Sequence, residues 1–196
     1  MTMKFRGKTL LIALLVLAVA LPAWAGPPTD YVRGILEEVI RIQNDPAMEK
    51  TRAEAIRRII QKNFDFPRMA QDSLGAAYGR LSPGQRQEFE RLFAALFQDS
   101  YTRLVLNFLK RETVTYHRET VEGNRAKVFT TLVRTNETIP VDYLMHTRSS
   151  SFVLYDVIVD GVSILDNYKR QFAQVISTKS FDFLLERMRT QYKAIQ

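Results

Sequence analysis

The stretch ETIPVDYLMHTRSSSFVLYDVIVD, residues 137–160, predicts two β-strands joined by a tight turn. From Glu137 to Thr147 apolar side chains alternate with polar ones, the period of a strand with one buried face. From Phe152 to Asp160 the chain is apolar on both faces, which is typical of a central, covered strand. Alternation in this second strand predicts two faces, one with Val153, Tyr155, Val157 and Val159 and the other with Phe152, Leu154 and Ile158.

Two further strands are predicted immediately before this pair. They run from Thr113 to Arg118 and from Arg125 to Thr135, and the Gly123-Asn124 turn joins them. The connections are short, and short connections favour neighbouring antiparallel strands. The sequence therefore predicts a four-stranded antiparallel meander.

Helical patterns flank the strands on both sides. Ser82-Pro83-Gly84-Gln85 is a strong helix start, because Ser82 can cap the helix and Gln85 completes a capping box. The order of helices, then strands, then helices predicts an α+β domain. The predicted helices span approximately Thr29–Gln43, Ala47–Asn63, Phe66–Leu74, Pro83–Lys110, Asn167–Ile176 and Ser180–Tyr192.

The N-terminus has the pattern of a secretory signal peptide. Lys4, Arg6 and Lys8 precede an uncharged apolar run, and Ala23-Trp24-Ala25 fits the small-x-small cleavage rule. The apolar run is too short for the roughly 20 residues of a membrane-spanning helix. We therefore expect residues 1–25 to be a signal peptide, residues 26–196 to form a single domain, and the protein to be periplasmic and soluble after cleavage.

The charge distribution argues against nucleic-acid binding, and the chain has no disulfide despite its predicted export. The formal net charge is +7, of which three positive charges lie in the predicted signal peptide. The remaining basic residues are thinly spread, so no nucleic-acid partner is expected. The chain has no Cys, so no disulfide stabilises it.

The sequence has no recognisable catalytic or metal-binding motif. Zero Cys and two His exclude thiolate chemistry and a three-His zinc site. Neither a P-loop nor a dinucleotide-binding glycine motif is present. Gly161-Val162-Ser163 begins like a nucleophile elbow but lacks its second glycine. Asp142, Asp156 and Asp160 remain candidate acids or bases for an isomerase-like enzyme, although such residues more often bond backbone amides or water. No catalytic residue, metal or cofactor is predicted.

The long fourth helix carries a broad stripe of large apolar side chains, many of them aromatic. Such a stripe is compatible with two structures: a filled core, or one wall of a ligand cavity. Periodicity alone does not distinguish them.

Five groups of short motifs occur in a fixed order: Phe64-Asp65 with Met69-Ala70 and Leu74-Gly75; Leu81-Ser82-Pro83 with Gln85 and Phe89; Ile139-Pro140-Val141-Asp142-Tyr143; Tyr155-Asp156-Val157 with Gly161-Val162-Ser163; and Asn167-Tyr168 with Gln171-Phe172. On these motifs, the chain from about Thr29 to Leu185 resembles the MlaC family, also called the toluene-tolerance auxiliary family, of periplasmic phospholipid-binding proteins. Tyr78 and Phe152 stand where the family often has Trp, and both keep an aromatic ring.

The resemblance implies a fold and a role. The fold is a twisted four-stranded antiparallel sheet wrapped by about six or seven helices, with a deep apolar pocket between them. The role is that of a carrier without enzymatic activity, with phospholipid as cargo. Family members shuttle glycerophospholipids between an outer-membrane lipoprotein–porin complex and an inner-membrane ABC transporter with an MCE-domain subunit, which maintains outer-membrane lipid asymmetry. A shuttle must diffuse and expose its docking faces, which favours a monomer.

The amphipathic phases predict which residues would line such a pocket. The helix wall would be Phe93, Phe97, Tyr101, Leu104, Val105 and Phe108; the sheet wall Val128, Leu132, Val141, Tyr143, Val157 and Val159; and the mouth Val162, Ile164, Tyr168 and Phe172. The second helix has a basic face that is either solvated or docks an acidic partner, and its cations are Arg52, Arg57, Arg58 and Lys62. Two other interpretations stay open, namely an enzyme with an isomerase-like pocket and a ligand-free interaction module.

Overall fold

The computed structural model describes residues 27–110, 112–149 and 151–196. The predicted signal peptide, residues 1–25, lies outside the described residues. Within them the chain forms six α-helices and two short 3-10 turns, Pro46–Met48 and Gly75–Arg80. The helices are α1 (Pro27–Asn44), α2 (Arg52–Asn63), α3 (Phe66–Leu74), α4 (Pro83–Phe108), α5 (Ile164–Thr178) and α6 (Phe181–Ala194). The predicted α+β class is confirmed.

One antiparallel sheet follows the chain order, with each strand paired to the next. The strands are β1 (Thr113–Glu122), β2 (Arg125–Val133), β3 (Thr138–Arg148), β4 (Ser151–Val159) and β5 (Val162–Ser163). The predicted count of four strands is wrong, because the chain turns back after β4 and adds β5. Asp160 and Gly161 both have positive φ, 49° and 76°. That is the geometry of a tight two-residue hairpin turn.

A β-bulge in β4 changes which side chains share a face. Tyr143 pairs with Val157, and two residues later Met145 pairs with Leu154, so β4 has one extra residue at Tyr155. Strict alternation therefore fails there. Leu154 and Val157 lie on the same face, and the predicted grouping of Tyr155 with Val157 is wrong.

The long helix α4 begins as its sequence predicts. The Ser82 hydroxyl accepts a hydrogen bond from the Gln85 backbone N–H at 3.3 Å, and the Gln85 side chain accepts one from the Ser82 N–H at 3.0 Å. This capping box satisfies two amides that the first turn leaves without partners. α4 then packs on α2, α3 and α6, whereas α1 lies against β1 and β2, and α5 lies against β4.

Asp156 joins the end of the sheet to the start of α5. Its buried carboxylate accepts hydrogen bonds from the backbone N–H groups of Val157 (2.8 Å) and Leu165 (3.0 Å) and from the Ser163 hydroxyl (2.5 Å). Burial raises the pKa of Asp156, and these hydrogen bonds oppose the rise. All three donors belong to the end of the sheet and the start of α5. Asp156, a candidate acid or base, therefore serves to hold these two elements together.

We expect Asp156→Ala to lower the free energy of unfolding by about 2–4 kcal/mol, because it leaves two buried amides without acceptors. Asp142→Ala is the matched control, since Asp142 makes one partly exposed ion pair with Lys127 at 2.8 Å. Loss of such a pair costs about 1 kcal/mol or less. Urea unfolding measures both variants, and equal losses would contradict the anchoring role of Asp156.

Candidate functional site

An apolar hollow of about 100 Å³ lies between α1, the C-terminal half of α4 and one face of the sheet. We call this the inner face, and it carries Val141, Tyr143 and Val157. Phe108 is 45% exposed and marks the end of the hollow nearest to solvent. The lining residues are Leu36, Tyr101, Leu104, Val105, Phe108, Leu109, Leu132, Ile139, Val141, Tyr143, Val157 and Val159.

A second hollow of about 30 Å³ adjoins the first on the side of α1 and α2. Ile56, Ile59 and Ile60 of α2 contribute to its wall. Five residues line both hollows and form a partition between them: Leu36, Tyr101, Val105, Leu109 and Tyr143. These five residues are therefore shared walls of the two spaces.

The pocket that the family resemblance implies is larger than these hollows. Pockets for small-molecule ligands usually hold about 300–1,000 Å³, whereas the two hollows measure about 100 and 30 Å³. The deep pocket is therefore not confirmed. What the structure contains is an apolar space, lined from three elements, at the place where the pocket is expected.

Nine of the sixteen predicted pocket residues line the larger hollow. They come from both predicted walls, and they are Tyr101, Leu104, Val105, Phe108, Leu132, Val141, Tyr143, Val157 and Val159. Their contact with a lipid stays a prediction. Sequence reasoning missed Leu36, Leu109 and Ile139, because their amphipathic phase marks them as buried but does not tell which buried side chains border an empty space.

Four of the remaining residues belong to an aromatic cluster that fastens α4 to α5, made of Phe89, Phe93, Phe97, Tyr168 and Phe172. The ring centroids of Phe93 and Tyr168 are 5.5 Å apart, and those of Phe89 and Phe172 are 5.7 Å apart. These rings fill the core near the N-terminal half of α4. Phe93, Phe97, Tyr168 and Phe172 therefore lie outside the hollow in this structure.

The last three predicted pocket residues also lie outside the hollow. Val128 is fully buried on the inner face of β2. Val162 lies in β5, is 54% exposed, and Ile164 begins α5. The end of the hollow nearest to solvent is at Phe108, so these residues do not form its mouth here.

Gln43 ties α1 to the end of α4 beside the hollow. Its side-chain amide donates hydrogen bonds to the backbone oxygens of Val105 (3.1 Å) and Leu109 (2.9 Å). The last carbonyl groups of a helix have no partner within the helix. Gln43 therefore supplies one, and it fixes the distance between two walls of the hollow.

The basic face of α2 is partly used within the fold. Arg57 pairs with Asp99 at 3.2 Å, and Arg52 donates to the backbone oxygens of Ile42 and Asp45. Arg58 and Lys62 point into solvent, and Arg58 makes a surface pair with Glu54 at 3.5 Å. Only the outer part of the predicted docking face is therefore free for a partner.

Within the described ranges, no three His, Cys, Asp or Glu side chains lie close enough together to hold a metal ion. Over those same ranges, no helix is both long and apolar enough to cross a membrane.

Comparisons with known proteins agree with the fold. The solved structure of a phospholipid-binding protein from Ralstonia solanacearum, in complex with a phospholipid, superposes with a TM-score of 0.72 at 21% identity. That match covers 84% of this chain and 96% of the other.

Sequence comparison points in the same direction. The intermembrane phospholipid transport system binding protein MlaC of Haemophilus influenzae is 21% identical over 120 residues, or 59% of this chain. This chain spans 56% of the length of that curated relative. The family model described as MlaC protein matches residues 33–190. The match spans most of the chain, and the chain therefore belongs to the MlaC family.

Proposed function

We propose that this protein is a periplasmic carrier that binds glycerophospholipid with the acyl tails between α4, α1 and the inner face of the sheet. The observation that carries the proposal is the apolar hollow at this place, in a fold shared with a protein solved in complex with a phospholipid. The lining is hydrocarbon and aromatic except for two Tyr hydroxyls. Such a surface suits an acyl chain and offers no group for bond-breaking chemistry.

Hydrocarbon burial explains why such a carrier is useful. Each CH₂ group that leaves an apolar environment for water costs about 0.8 kcal/mol. A 16-carbon chain therefore costs roughly 12 kcal/mol to expose, which makes unaided escape from a bilayer slow. A dry cavity lowers this barrier without a nucleotide or a catalytic residue.

The hollow has to widen before it can hold acyl tails. The two hollows share five lining residues, so rotamer changes at Val105 and Leu109 would help to connect them. Leu104 and Val105 are only partly buried, so the C-terminal half of α4 is less firmly packed than the aromatic cluster. An acyl chain that enters at Phe108 would displace this half of the helix from the sheet.

The headgroup would remain in water at the Phe108 end, because an unpaired buried phosphate is costly. Arg134 lies there, with its guanidinium 5.1 Å from the centre of the Phe108 ring. Arg134 also pairs with Glu112 at 3.0 Å and with Glu137 at 3.4 Å. Its charge is thus already balanced, which favours a carrier with weak headgroup selectivity.

Family membership supports the proposed route of transport. The carrier would exchange lipid with an inner-membrane ABC transporter that has an MCE-domain subunit and with an outer-membrane lipoprotein–porin complex. It would reach the periplasm through the signal peptide predicted for residues 1–25 and act there as a monomer. We propose no enzymatic activity.

Lipid extraction and mass spectrometry test the proposal. Protein purified without detergent from bacteria that express the full chain should contain near-stoichiometric phospholipid. Leu104→Glu places a carboxylate in the lining and should lower the bound lipid at least about tenfold, because the charge would have to be desolvated. Leu106→Glu is the matched control on the same helix, since Leu106 is partly buried but does not line the hollow.

Circular dichroism and thermal melting show whether both variants fold. A protein that carries no lipid would support the ligand-free interaction module. Turnover of a small apolar substrate without stable lipid binding would support the isomerase-like enzyme. Equal lipid loss in the two folded variants would contradict the proposed location of the tails.

The exposed part of the basic face of α2 is the proposed docking surface for an acidic partner. Arg58→Glu combined with Lys62→Glu should lower binding to membrane vesicles from the producing bacterium about threefold to tenfold at low salt, and less at high salt. Co-sedimentation measures the bound fraction. Arg187→Glu combined with Lys193→Glu makes the same charge change on exposed positions of α6 and should have a smaller effect. Equal binding by both double variants would exclude α2 as the docking surface.

A further inference from the structure

Two tyrosines introduce polar groups into the otherwise hydrocarbon lining of the hollow. Tyr101 projects from α4, and Tyr143 projects from β3 on the inner face of the sheet. Both residues belong to the partition and line both hollows. Tyr143 is buried and Tyr101 is partly buried. A chain that passed from one hollow to the other would therefore contact both phenols.

Neither hydroxyl has a hydrogen-bond partner among residues 27–110, 112–149 and 151–196. Other tyrosines of this chain are bonded: Tyr31 donates to the Asn63 side chain at 2.9 Å, and Tyr78 donates to Glu90. Both unpaired tyrosines line the hollow, so an acyl chain that fills it would seal each hydroxyl from water without a partner, and that costs free energy. Two hydroxyls without protein partners therefore line one apolar space. This arrangement points to an acceptor supplied by a ligand.

Both phenols are hydrogen-bond donors at physiological pH. Burial raises the pKa of Tyr101, and the nearby charge of Asp156 raises it further. Burial also raises the pKa of Tyr143, well above its ordinary value, and the neighbouring Tyr101 and Tyr116 add to the rise. The two groups thus stay protonated and neutral.

The phenols lie well below the opening of the hollow. Tyr101 is seven residues from Phe108 along α4, a distance of about 10 Å at 1.5 Å per residue. Tyr143 is four residues along β3 from Ile139, the first lining residue of that strand, a distance of about 14 Å at 3.4 Å per residue. One acyl chain spans half of a hydrocarbon core of about 30 Å. The two hydroxyls therefore face the middle or lower part of a chain, far below the ester groups.

We propose that Tyr101 and Tyr143 select phospholipids with an unsaturated acyl chain, by donating hydrogen bonds to the π electrons of a carbon–carbon double bond. The inference rests on the proposed function. At this depth a saturated chain offers no acceptor, so it leaves both hydroxyls unpaired. A double bond is the acceptor that a hydrocarbon chain carries, and an O–H group directed at it gains a weak hydrogen bond.

Competition between two lipids of equal length tests this selection. Full-length protein freed of bound lipid is incubated with mixed vesicles of dioleoyl and distearoyl phosphatidylglycerol, and mass spectrometry gives the ratio of the two bound lipids. Tyr101→Phe and Tyr143→Phe each remove one hydroxyl only. We expect the oleoyl-to-stearoyl ratio to fall about twofold to threefold in each variant and about fivefold in the double variant. Tyr192→Phe is the matched control, because Tyr192 lies on α6 and lines neither hollow.

Each outcome has one consequence. An unchanged ratio in the double variant overturns the selection by the two hydroxyls. An equal loss of both lipids also overturns it, because the acceptor would then be common to both, as an ester carbonyl is. Absence of both lipids from the wild-type protein contradicts the proposed function itself. The ratio is compared between variants, so the different packing of the two lipids in the donor vesicles cancels.

Discussion

The contacts between the aromatic rings of α4 and α5 determine which part of the core is filled and which part can hold a cavity. Phe89, Phe93 and Phe97 occupy one face of α4, and Tyr168 and Phe172 meet them from α5 at centroid distances of 5.5–6.3 Å. Aromatic pairs of this kind add stability beyond their buried area. They hold the N-terminal half of α4 against α5, whereas the C-terminal half borders the hollow.

Tyr101 lies at the boundary between the aromatic cluster and the hollow. Its ring stacks on Phe97 at 5.5 Å and meets Phe64 at 5.3 Å, so one side of the ring continues the aromatic packing. The same residue lines the hollow. Beyond it, Gln43 holds the end of α4 through its carbonyl groups. α4 is therefore held on both sides of the segment that borders the hollow. That arrangement allows a cavity to widen without loss of the core.

Much of the fold follows from the sequence, and the failures have identifiable causes. The capping box at Ser82 and the alternation in β3 are local signals, and both predict the observed structure. The bulge at Tyr155 and the hairpin at Asp160-Gly161 depend on cross-strand pairing, so periodicity within one strand does not reveal them. The pocket residues divide in the same manner. Amphipathic phase identifies Phe93 and Leu104 alike as inward-facing, whereas tertiary packing decides that the first meets α5 and the second meets an empty space.

The distinction between structural and functional polar groups depends on whether their hydrogen bonds are satisfied. Asp156 of β4 and Tyr143 of β3 are both buried, and burial raises the pKa of each. Asp156 has three donors around it, so it completes the fold and needs nothing further. Tyr143 has no acceptor among the described residues, although a Phe at this position would fill the same space without an unpaired hydroxyl. Phe would also avoid the cost of a hydroxyl that an acyl chain seals from water without a partner. The hydroxyl at this position is therefore best explained by a ligand that accepts its hydrogen bond when the cavity is occupied.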